Sequence, residues 1–163
     1  MAEYERIVQP FEPVYDENAK ILILGSLPSV KSRENGFYYG HPQNRFWKVI
    51  AAVYDREVPQ TILEKKELLH KCGIAVWDVI ESCEIKGSSD SSIREVVTAD
   101  FQVVLRKCNI KKIFANGKTA ERLYNKFGKL QTGREIIVLP STSPANAAYS
   151  LEKLIQQWSV IRE

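Results

Sequence analysis

The residues with the most chemical potential lie in one segment, GSLPSVKSRENGFYYGHPQNRFW (25–47). A Gly/Pro turn comes first, three aromatic residues follow at 37–39, and HPQN (41–44) then precedes an amphipathic stretch. Backbone amides at a turn or a helix start can hold an anion or a carbonyl oxygen. An aromatic ring can stack on a planar base, although aromatic residues near a strand end also fit a core. The combination predicts a binding site.

Other polar residues come directly after apolar runs. Asp78 ends one such run, Asn116 and Gly117 end another, and PSTSPAN (140–146) follows a third. In open α/β folds the ligand site lies beyond the carboxyl ends of the strands. We therefore expect these residues to gather around the segment at 25–47.

Four apolar runs without alternation predict the elements that position these residues. Such runs are typical of strands buried on both faces in a parallel sheet, and they are 20–26, 73–79, 111–117 and 134–141. Helical spacing of apolar residues follows Asn44 and Gly117 and recurs from Ala147 to Ile161. We predict an α/β fold: a three-layer α/β/α sandwich with a central four-stranded, mostly parallel sheet. The polar stretch 84–93 predicts a loop.

Composition indicates the class of protein. The chain has 163 residues, 44% of them hydrophobic and 26% charged, which predicts one domain over 1–163. No run approaches the roughly 20 apolar residues of a membrane span, and the first residues lack an apolar signal region, so we expect a cytoplasmic protein without a membrane partner. Three cysteines without a CxxC pair predict neither a metal nor a cluster site.

The net charge of +3 conceals an uneven distribution. Stretches 1–24 and 80–100 each carry two basic and five acidic residues, whereas 101–135 carries nine basic and two acidic residues. Within the basic stretch, Lys118, Arg122 and Lys126 share one helical face. Such an excess suits a polyanion, but a solvated lysine-rich face is the alternative.

Three motifs resemble those of the uracil-DNA glycosylase superfamily, most closely its hypoxanthine (deoxyinosine) DNA glycosylase branch, with similarity also to mismatch-specific uracil-DNA glycosylases. GSLPS (25–29) stands where related enzymes carry G-x-N-P-G. YYGHPQNRFW (38–47) resembles F-x-H-P-x-N-R-F-W, and STSPAN (141–146) stands where H-P-S-P-L-S is found. The resemblance covers nearly the whole chain and implies a uracil-DNA glycosylase-like fold.

The function implied by this resemblance is monofunctional DNA glycosylase activity in base excision repair. The enzyme would hydrolyse the N-glycosidic bond of a deaminated base in duplex DNA, with hypoxanthine as the expected base, and leave an abasic site. No cofactor is implied, and we expect a monomer. The alternatives are a uracil- or mismatch-specific glycosylase and a non-catalytic module that binds a nucleotide or damaged DNA.

The resemblance also implies a catalytic residue. Leu27 replaces the water-positioning asparagine of the mismatch-specific enzymes, which leaves Asn44 at the neighbouring helix start as the candidate. Its side-chain carbonyl would accept a hydrogen bond from the attacking water. The alternative role for Asn44 is an ordinary helix cap.

Base contacts are implied for four residues. Tyr39 would stack on the base, amides near Ser26 and Leu27 would polarise its carbonyl, and the Asp78 carboxylate would accept from N1–H of hypoxanthine. An aspartate at a strand end also caps turns or pairs with lysine.

DNA-backbone contacts are implied for a further set of residues. Ser141 replaces the superfamily histidine, Ala145 stands where a leucine often wedges into the base stack, and Asn146 would fill part of that gap. The whole set expected at the DNA phosphates or in the intercalation loop is Ser29, Ser141, Thr142, Ser143, Ala145 and Asn146. A simple Ser/Thr turn is the alternative for the second motif.

Overall fold

The computed structural model describes residues 3–163 as two sheets with helices packed against them. The strands are β1 (Tyr4–Val8), β2 (Ile21–Gly25), β3 (Ile74–Asp78), β4 (Ile80–Lys86), β5 (Arg94–Thr98), β6 (Lys112–Asn116) and β7 (Ile137–Leu139). The α-helices are α1 (Val30–Asn35), α2 (Phe46–Val53), α3 (Ile62–Cys72), α4 (Gln102–Leu105), α5 (Lys118–Leu123), α6 (Lys129–Thr132) and α7 (Leu151–Trp158). A π-helical turn at Tyr124–Gly128 joins α5 to α6.

The central sheet has four strands in the order β3-β2-β6-β7, and every neighbouring pair is parallel. Each strand comes from one of the four predicted apolar runs, and every residue of β2 and β3 is buried. The predicted α/β fold with a four-stranded parallel sheet is confirmed. The register places Gly25 beside Asp78, so the ends of β2 and β3 meet at the same edge.

The helices pack through the apolar side chains on one of their faces. Helix α2 buries Phe46, whose ring meets Trp158 of α7 edge to face at 5.9 Å between centroids. The Trp158 indole N–H donates to the Pro140 carbonyl at 2.9 Å, which ties α7 to the loop after β7. Helix α7 begins at Leu151, later than the spacing from Ala147 predicts, because the Ser150 side chain caps it by accepting from Lys153 N–H.

A second sheet, antiparallel with the order β1-β4-β5, was not predicted. Strand β4 starts two residues after β3 ends, and it pairs with β1 along most of its length. The predicted loop 84–93 is wrong in its first part, because residues 84–86 continue β4 and a 3₁₀ turn at Asp90–Ser92 then leads to β5. Apolar residues in alternation at Cys83 and Ile85, both buried, were the overlooked signal.

None of the helices in residues 3–163 is long and apolar enough to cross a membrane. Nor does that part of the chain hold a group of three or more His, Cys, Asp or Glu side chains that could bind a metal ion.

Candidate active site

A cavity of about 470 Å³ opens where β2, β3 and β6 end, and its volume falls within the range of small-molecule sites. It is lined by residues 25–32, 116–119 and 141–145, by Tyr38, Tyr39, His41, Asn44 and Asp78, and by Ile85, Gly87, Ser88, Asp90 and Ile93. Among the predicted site residues only Asn146 lies outside this lining. The fold therefore brings the three motifs together around one space.

Gly25 makes the floor of the cavity possible. A Cβ at this position would stand 2.5 Å from Oδ1 of Asp78 and 2.9 Å from the Tyr39 hydroxyl. Both distances are too short for real contacts, so a side chain here would push the two groups away. The glycine thus allows a carboxyl and a phenol to approach the same point of the backbone.

Asp78 is buried, with 3% of its surface exposed. Its Oδ2 accepts a hydrogen bond from Nε2 of Gln9 at 2.7 Å. Burial raises the pKa of Asp78 to about 7, while hydrogen bonds from Gln9 and the Gly25 backbone oppose that rise. The carboxyl therefore changes protonation state near neutral pH. Sequence reasoning missed Gln9, because it lies in an N-terminal segment without a motif.

Tyr39 forms one wall of the cavity and has an unusual backbone. Its φ of 52° lies in the left-handed region, where a bulky residue is held only by its surroundings. Its ring stacks on Phe46 with centroids 4.1 Å apart and planes 21° apart. Its buried hydroxyl has no hydrogen-bond partner among residues 3–163, and burial raises its pKa.

Asn44 takes a different orientation from the predicted one. Its side-chain carbonyl oxygen accepts from the backbone N–H of Phe46 at 2.9 Å and from the Thr142 hydroxyl at 2.8 Å. Because an amide oxygen has two lone pairs, this oxygen cannot also accept from a water molecule. This bond to Phe46 N–H forms a turn just before the helix. The residue at the cap position is Arg45, so Asn44 is not the ordinary helix cap of the alternative prediction either. The side-chain amide N–H groups remain for a ligand.

Thr142 is wholly buried, which corrects its predicted role at a phosphate. Its N–H donates to Oδ1 of Asn116 at 3.0 Å, and its hydroxyl oxygen accepts from Nδ2 of the same residue at 3.0 Å. Since that hydroxyl donates its proton to Asn44, it has no donor left for a phosphate oxygen. Thr142 instead connects the strand-end Asn116 to Asn44.

The rest of the second motif forms successive turns, as the alternative prediction had it. The Ser141 hydroxyl accepts from Ser143 N–H, and the Ser143 hydroxyl accepts from Ala145 N–H, both at 3.1 Å. Asn146 donates from its side chain to the Ser141 carbonyl at 3.0 Å and so closes the loop from outside the cavity. Ser141, Ser143 and Ala145 keep positions on the lining.

The turn after β2 is anchored in a similar way. The carbonyls of Gly25 and Ser26 accept from the N–H groups of Val79 and Ile80 at 2.8 and 3.1 Å. Leu27 packs against the core. The Ser29 hydroxyl caps α1 by accepting from Ser32 N–H and also donates to the Ser32 hydroxyl, both at 3.1 Å. The Ser29 hydroxyl is therefore engaged within α1, while Ser29 itself lies on the cavity lining.

Arg45 fixes the second-motif loop to the start of α2, and sequence reasoning missed it although it stands within HPQNRFW. Its guanidinium donates to the carbonyls of Ser143 and Asn146 at 3.0 Å each and to the Tyr149 carbonyl. Its backbone N–H donates to the Thr142 carbonyl at 3.1 Å. One side chain therefore binds three backbone carbonyls of this loop.

We expect Arg45→Met to lower the free energy of unfolding by about 2–4 kcal/mol, because three partly buried carbonyls lose a charged donor. Thermal melting of the variant measures this loss. Arg56→Met, at an exposed arginine just after α2, is the control and should melt close to the wild type. Equal melting temperatures for the two variants would contradict the assigned role of Arg45.

The hairpin between β4 and β5 supplies a side of the cavity that the sequence did not predict. Its residues Gly87, Ser88 and Asp90 line the space. The Ser88 hydroxyl accepts from Val30 N–H at 3.3 Å, which links the hairpin to the start of α1. The second sheet therefore takes part in the site.

Two lysines lie at the cavity, and further basic residues follow one of them along the chain. Lys31 and Lys118 line the cavity, and Arg122 and Lys126 are exposed farther along the chain from Lys118. A ligand that carries phosphate groups would meet positive charge as it approaches.

Comparisons with known proteins agree with the geometry. The family model described as Uracil DNA glycosylase superfamily matches residues 12–162. Two curated proteins named Hypoxanthine DNA glycosylase are each 34% identical to the chain. The one from Methanosarcina barkeri aligns over 140 residues, 85% of this chain and 87% of its own. The one from Methanosarcina acetivorans aligns over 158 residues, 96% and 99%.

A solved structure is also similar. It is the solution NMR structure of a protein from Methanosarcina acetivorans described as a candidate uracil DNA glycosylase. The TM-score is 0.81 at 32% identity, with 96% of this chain and 97% of that chain covered. The likeness therefore extends over nearly the full length of both chains.

Proposed function

Because the chain belongs to the uracil DNA glycosylase superfamily, we propose that it is a monofunctional DNA glycosylase that releases hypoxanthine from duplex DNA and leaves an abasic site. The observation that carries this proposal is the buried Asp78 carboxyl beside Tyr39 on the floor of the cavity. The two relatives named Hypoxanthine DNA glycosylase support it. We expect one protomer, without metal or cofactor, to act on chromosomal DNA in the cytoplasm.

Base selection follows from the hydrogen-bonding edge of the base. Hypoxanthine carries an N1–H donor beside its O6 acceptor, and an ionised Asp78 accepts from N1–H. Adenine carries an acceptor at N1, which a carboxylate repels. The target nucleotide must first leave the duplex, at a cost of a few kcal/mol that is smallest at a weak pair. Tyr39 then stacks on the extruded base, and amides near Ser26 and Leu27 polarise O6.

Hydrolysis is a displacement at the sugar carbon C1′. The C1′–N9 bond breaks with its electron pair leaving on the base, whose charge the amides stabilise through O6. The sugar develops oxocarbenium character, and a water oxygen bonds to C1′ and loses a proton to solvent. Asn44 donates from its amide to that water and holds it near C1′. Because the cation reacts readily, no strong base is needed.

Basic residues at the cavity and near Lys118 in the chain would bind the duplex. Lys31 and Lys118 stand at the cavity, and the basic stretch 101–135 lies around Lys118 in the chain. Contacts to phosphates position DNA without reading its sequence. They make the affinity fall as the salt concentration rises.

The test is single-turnover release of hypoxanthine, xanthine and uracil from labelled duplexes. We expect hypoxanthine to be released fastest and the product to be an abasic site without strand cleavage. Faster release of uracil would assign the protein to uracil- or mismatch-specific chemistry. No release of any of the three bases would contradict the proposal.

A non-catalytic binding module is the second candidate function. It is favoured by Leu27 and Ser141, which replace catalytic residue types, and by the occupied carbonyl oxygen of Asn44. Salt-sensitive binding of duplexes with no abasic product would support that candidate. Measuring affinity and product in the same samples separates the two functions.

Thr142→Val should slow base release about 5- to 20-fold, because the variant keeps the buried volume but loses the hydroxyl that orients Asn44. Thr142→Ser retains that hydroxyl and is the matched control, with an expected rate within about threefold of the wild type. Single-turnover rates at saturating enzyme measure both. A valine variant as fast as the serine variant would show that this orientation is unimportant.

A further inference from the structure

We propose that Gln9 is a positioning residue that fixes the Asp78 carboxyl with one oxygen turned to the extruded base, so that the pocket accepts bases with an N–H edge and rejects adenine. This inference rests on the proposed function. It adds a specificity-determining residue that stands outside the matched family segment, which begins at residue 12.

Two hydrogen bonds fix the orientation of Gln9. Its side-chain carbonyl accepts from the backbone N–H of Phe11 at 3.0 Å, and its backbone N–H donates to the Glu81 carbonyl at 2.7 Å. With the carbonyl end held in this way, the amide end points to Asp78 and donates at 2.7 Å. Gln9 therefore presents a donor, and not an acceptor, to the carboxyl.

The two carboxyl oxygens of Asp78 have different surroundings. Oδ2 takes the bond from Gln9, while Oδ1 lies on the open side of Gly25 next to the Tyr39 hydroxyl. Gly25, Tyr39 and Asp78 all line the cavity. Oδ1 is thus the oxygen that an incoming base meets. It presents only acceptor sites while Asp78 is ionised, whereas in the protonated carboxyl, whose Oδ2 accepts from Gln9, it carries the O–H donor.

The ionisation of Asp78 is controlled by its burial and by its hydrogen-bond donors. Burial raises the pKa of Asp78 to about 7, and the Gln9 and Gly25 hydrogen bonds hold it down. The titratable groups that face it are the phenols of Tyr38 and Tyr39, and burial raises the pKa of both. The Tyr38 hydroxyl donates to the Glu12 carbonyl at 3.0 Å and stays protonated near neutral pH. Gln9 is therefore the side chain that most favours the carboxylate.

The test compares Gln9→Met, which keeps the length of the side chain without its amide, with Gln157→Ala at an exposed glutamine of α7. Hypoxanthine release by the wild type should fall tenfold for each pH unit below about 7. In Gln9→Met the ionised carboxyl loses a hydrogen-bond donor, so its pKa should rise. We therefore expect the fall in release rate to begin about one pH unit higher. The carbon-13 NMR titration of the Asp78 carboxyl should move by the same amount, and Gln157→Ala should change neither.

A second arm reverses the direction of the hydrogen bond. In Asp78→Asn the donor of Gln9 holds the new carbonyl, and the amide N–H faces the base as a second donor. In the double variant Gln9→Glu with Asp78→Asn, the introduced carboxylate accepts from that amide and turns the asparagine carbonyl to the base. We expect the double variant to release hypoxanthine at least about tenfold faster than Asp78→Asn alone.

These experiments distinguish a failure of the proposed function from a failure of the role of Gln9. No hypoxanthine release by the wild type would contradict the proposed function, while the NMR titration still tests the effect of Gln9 on Asp78. The role of Gln9 would be overturned if the wild type releases hypoxanthine and a folded Gln9→Met shows the same pH dependence of the rate and the same Asp78 titration as the wild type. A double variant as slow as Asp78→Asn would overturn it equally.

Discussion

Asn44→Ser should lower the single-turnover rate of hypoxanthine release by about 10²–10³-fold, the loss typical of removing one positioned polar group at a reacting centre. The serine hydroxyl can still accept from Phe46 N–H, as the Asn44 carbonyl does at 2.9 Å. It is too short to reach the water that the proposed mechanism places at the amide of Asn44. The melting temperature should therefore stay near the wild-type value while the rate collapses.

Two further substitutions at Asn44 distinguish the effect of the amide from the effect of the hydrogen bond to Phe46. Asn44→Ala loses both the amide and the hydrogen bond at the helix start, so it should be as slow as Asn44→Ser and also less stable by about 1 kcal/mol. Asn44→Asp keeps the acceptor for Phe46 and Thr142 and offers a second oxygen to water, so it should lose less activity than the serine variant. Wild-type rates in Asn44→Ser would refute the role of the amide.

Asp78→Asn should lower hypoxanthine release at pH 8 by about 10²-fold, because the Gln9 donor orients the new amide with its N–H toward N1–H of the base. Two donors then face each other, and a buried donor without an acceptor costs about 1–3 kcal/mol. The expected loss is smaller at pH 6, where the wild-type carboxyl is already largely protonated. The ratio of variant to wild-type rates across this range measures the effect.

The same substitution should raise stability above neutral pH. Burial raises the pKa of folded Asp78 to about 7, above the value of about 3.9 in an unfolded chain. The stability that this group contributes is therefore fully present below about pH 4, and it is lost as the pH rises to 7. Asn lacks this titration, so the variant should gain about 2 kcal/mol at pH 8, or about 4–8 °C in melting temperature. Identical pH dependence of melting in both proteins would contradict a buried carboxylate.

Much of the fold could be predicted from the local pattern of apolar residues. Runs such as ILILG and IAVWD have no alternation, so they predict strands covered on both faces, and both are buried over their full length. The convergence of Tyr39, Asn44 and Asp78 follows from the rule that ligands bind at the carboxyl ends of parallel strands. These inferences need only periodicity and chain direction.

The orientation of side chains could not be predicted in the same way. Whether Asn44 presents its carbonyl or its amide depends on Thr142, which stands 98 positions away in the chain. Gln9 meets Asp78 across 69 positions, through a sheet that was not foreseen. Arg45 donates to backbone carbonyls, and backbone positions are not visible in residue type. Such contacts depend on tertiary structure.

Strand β1 lies at an edge of the antiparallel sheet, and this position should affect how base selection responds to heating and to N-terminal fusions. Four of its five residues are exposed, and its pairing with β4 joins segments far apart in the chain. Edge segments with little buried surface open before the rest of a domain unfolds. Opening here would withdraw Gln9 from Asp78 while the parallel sheet stays folded. Discrimination between bases should therefore fail at a lower temperature than global melting, and fusions before Tyr4 should alter selectivity more than stability.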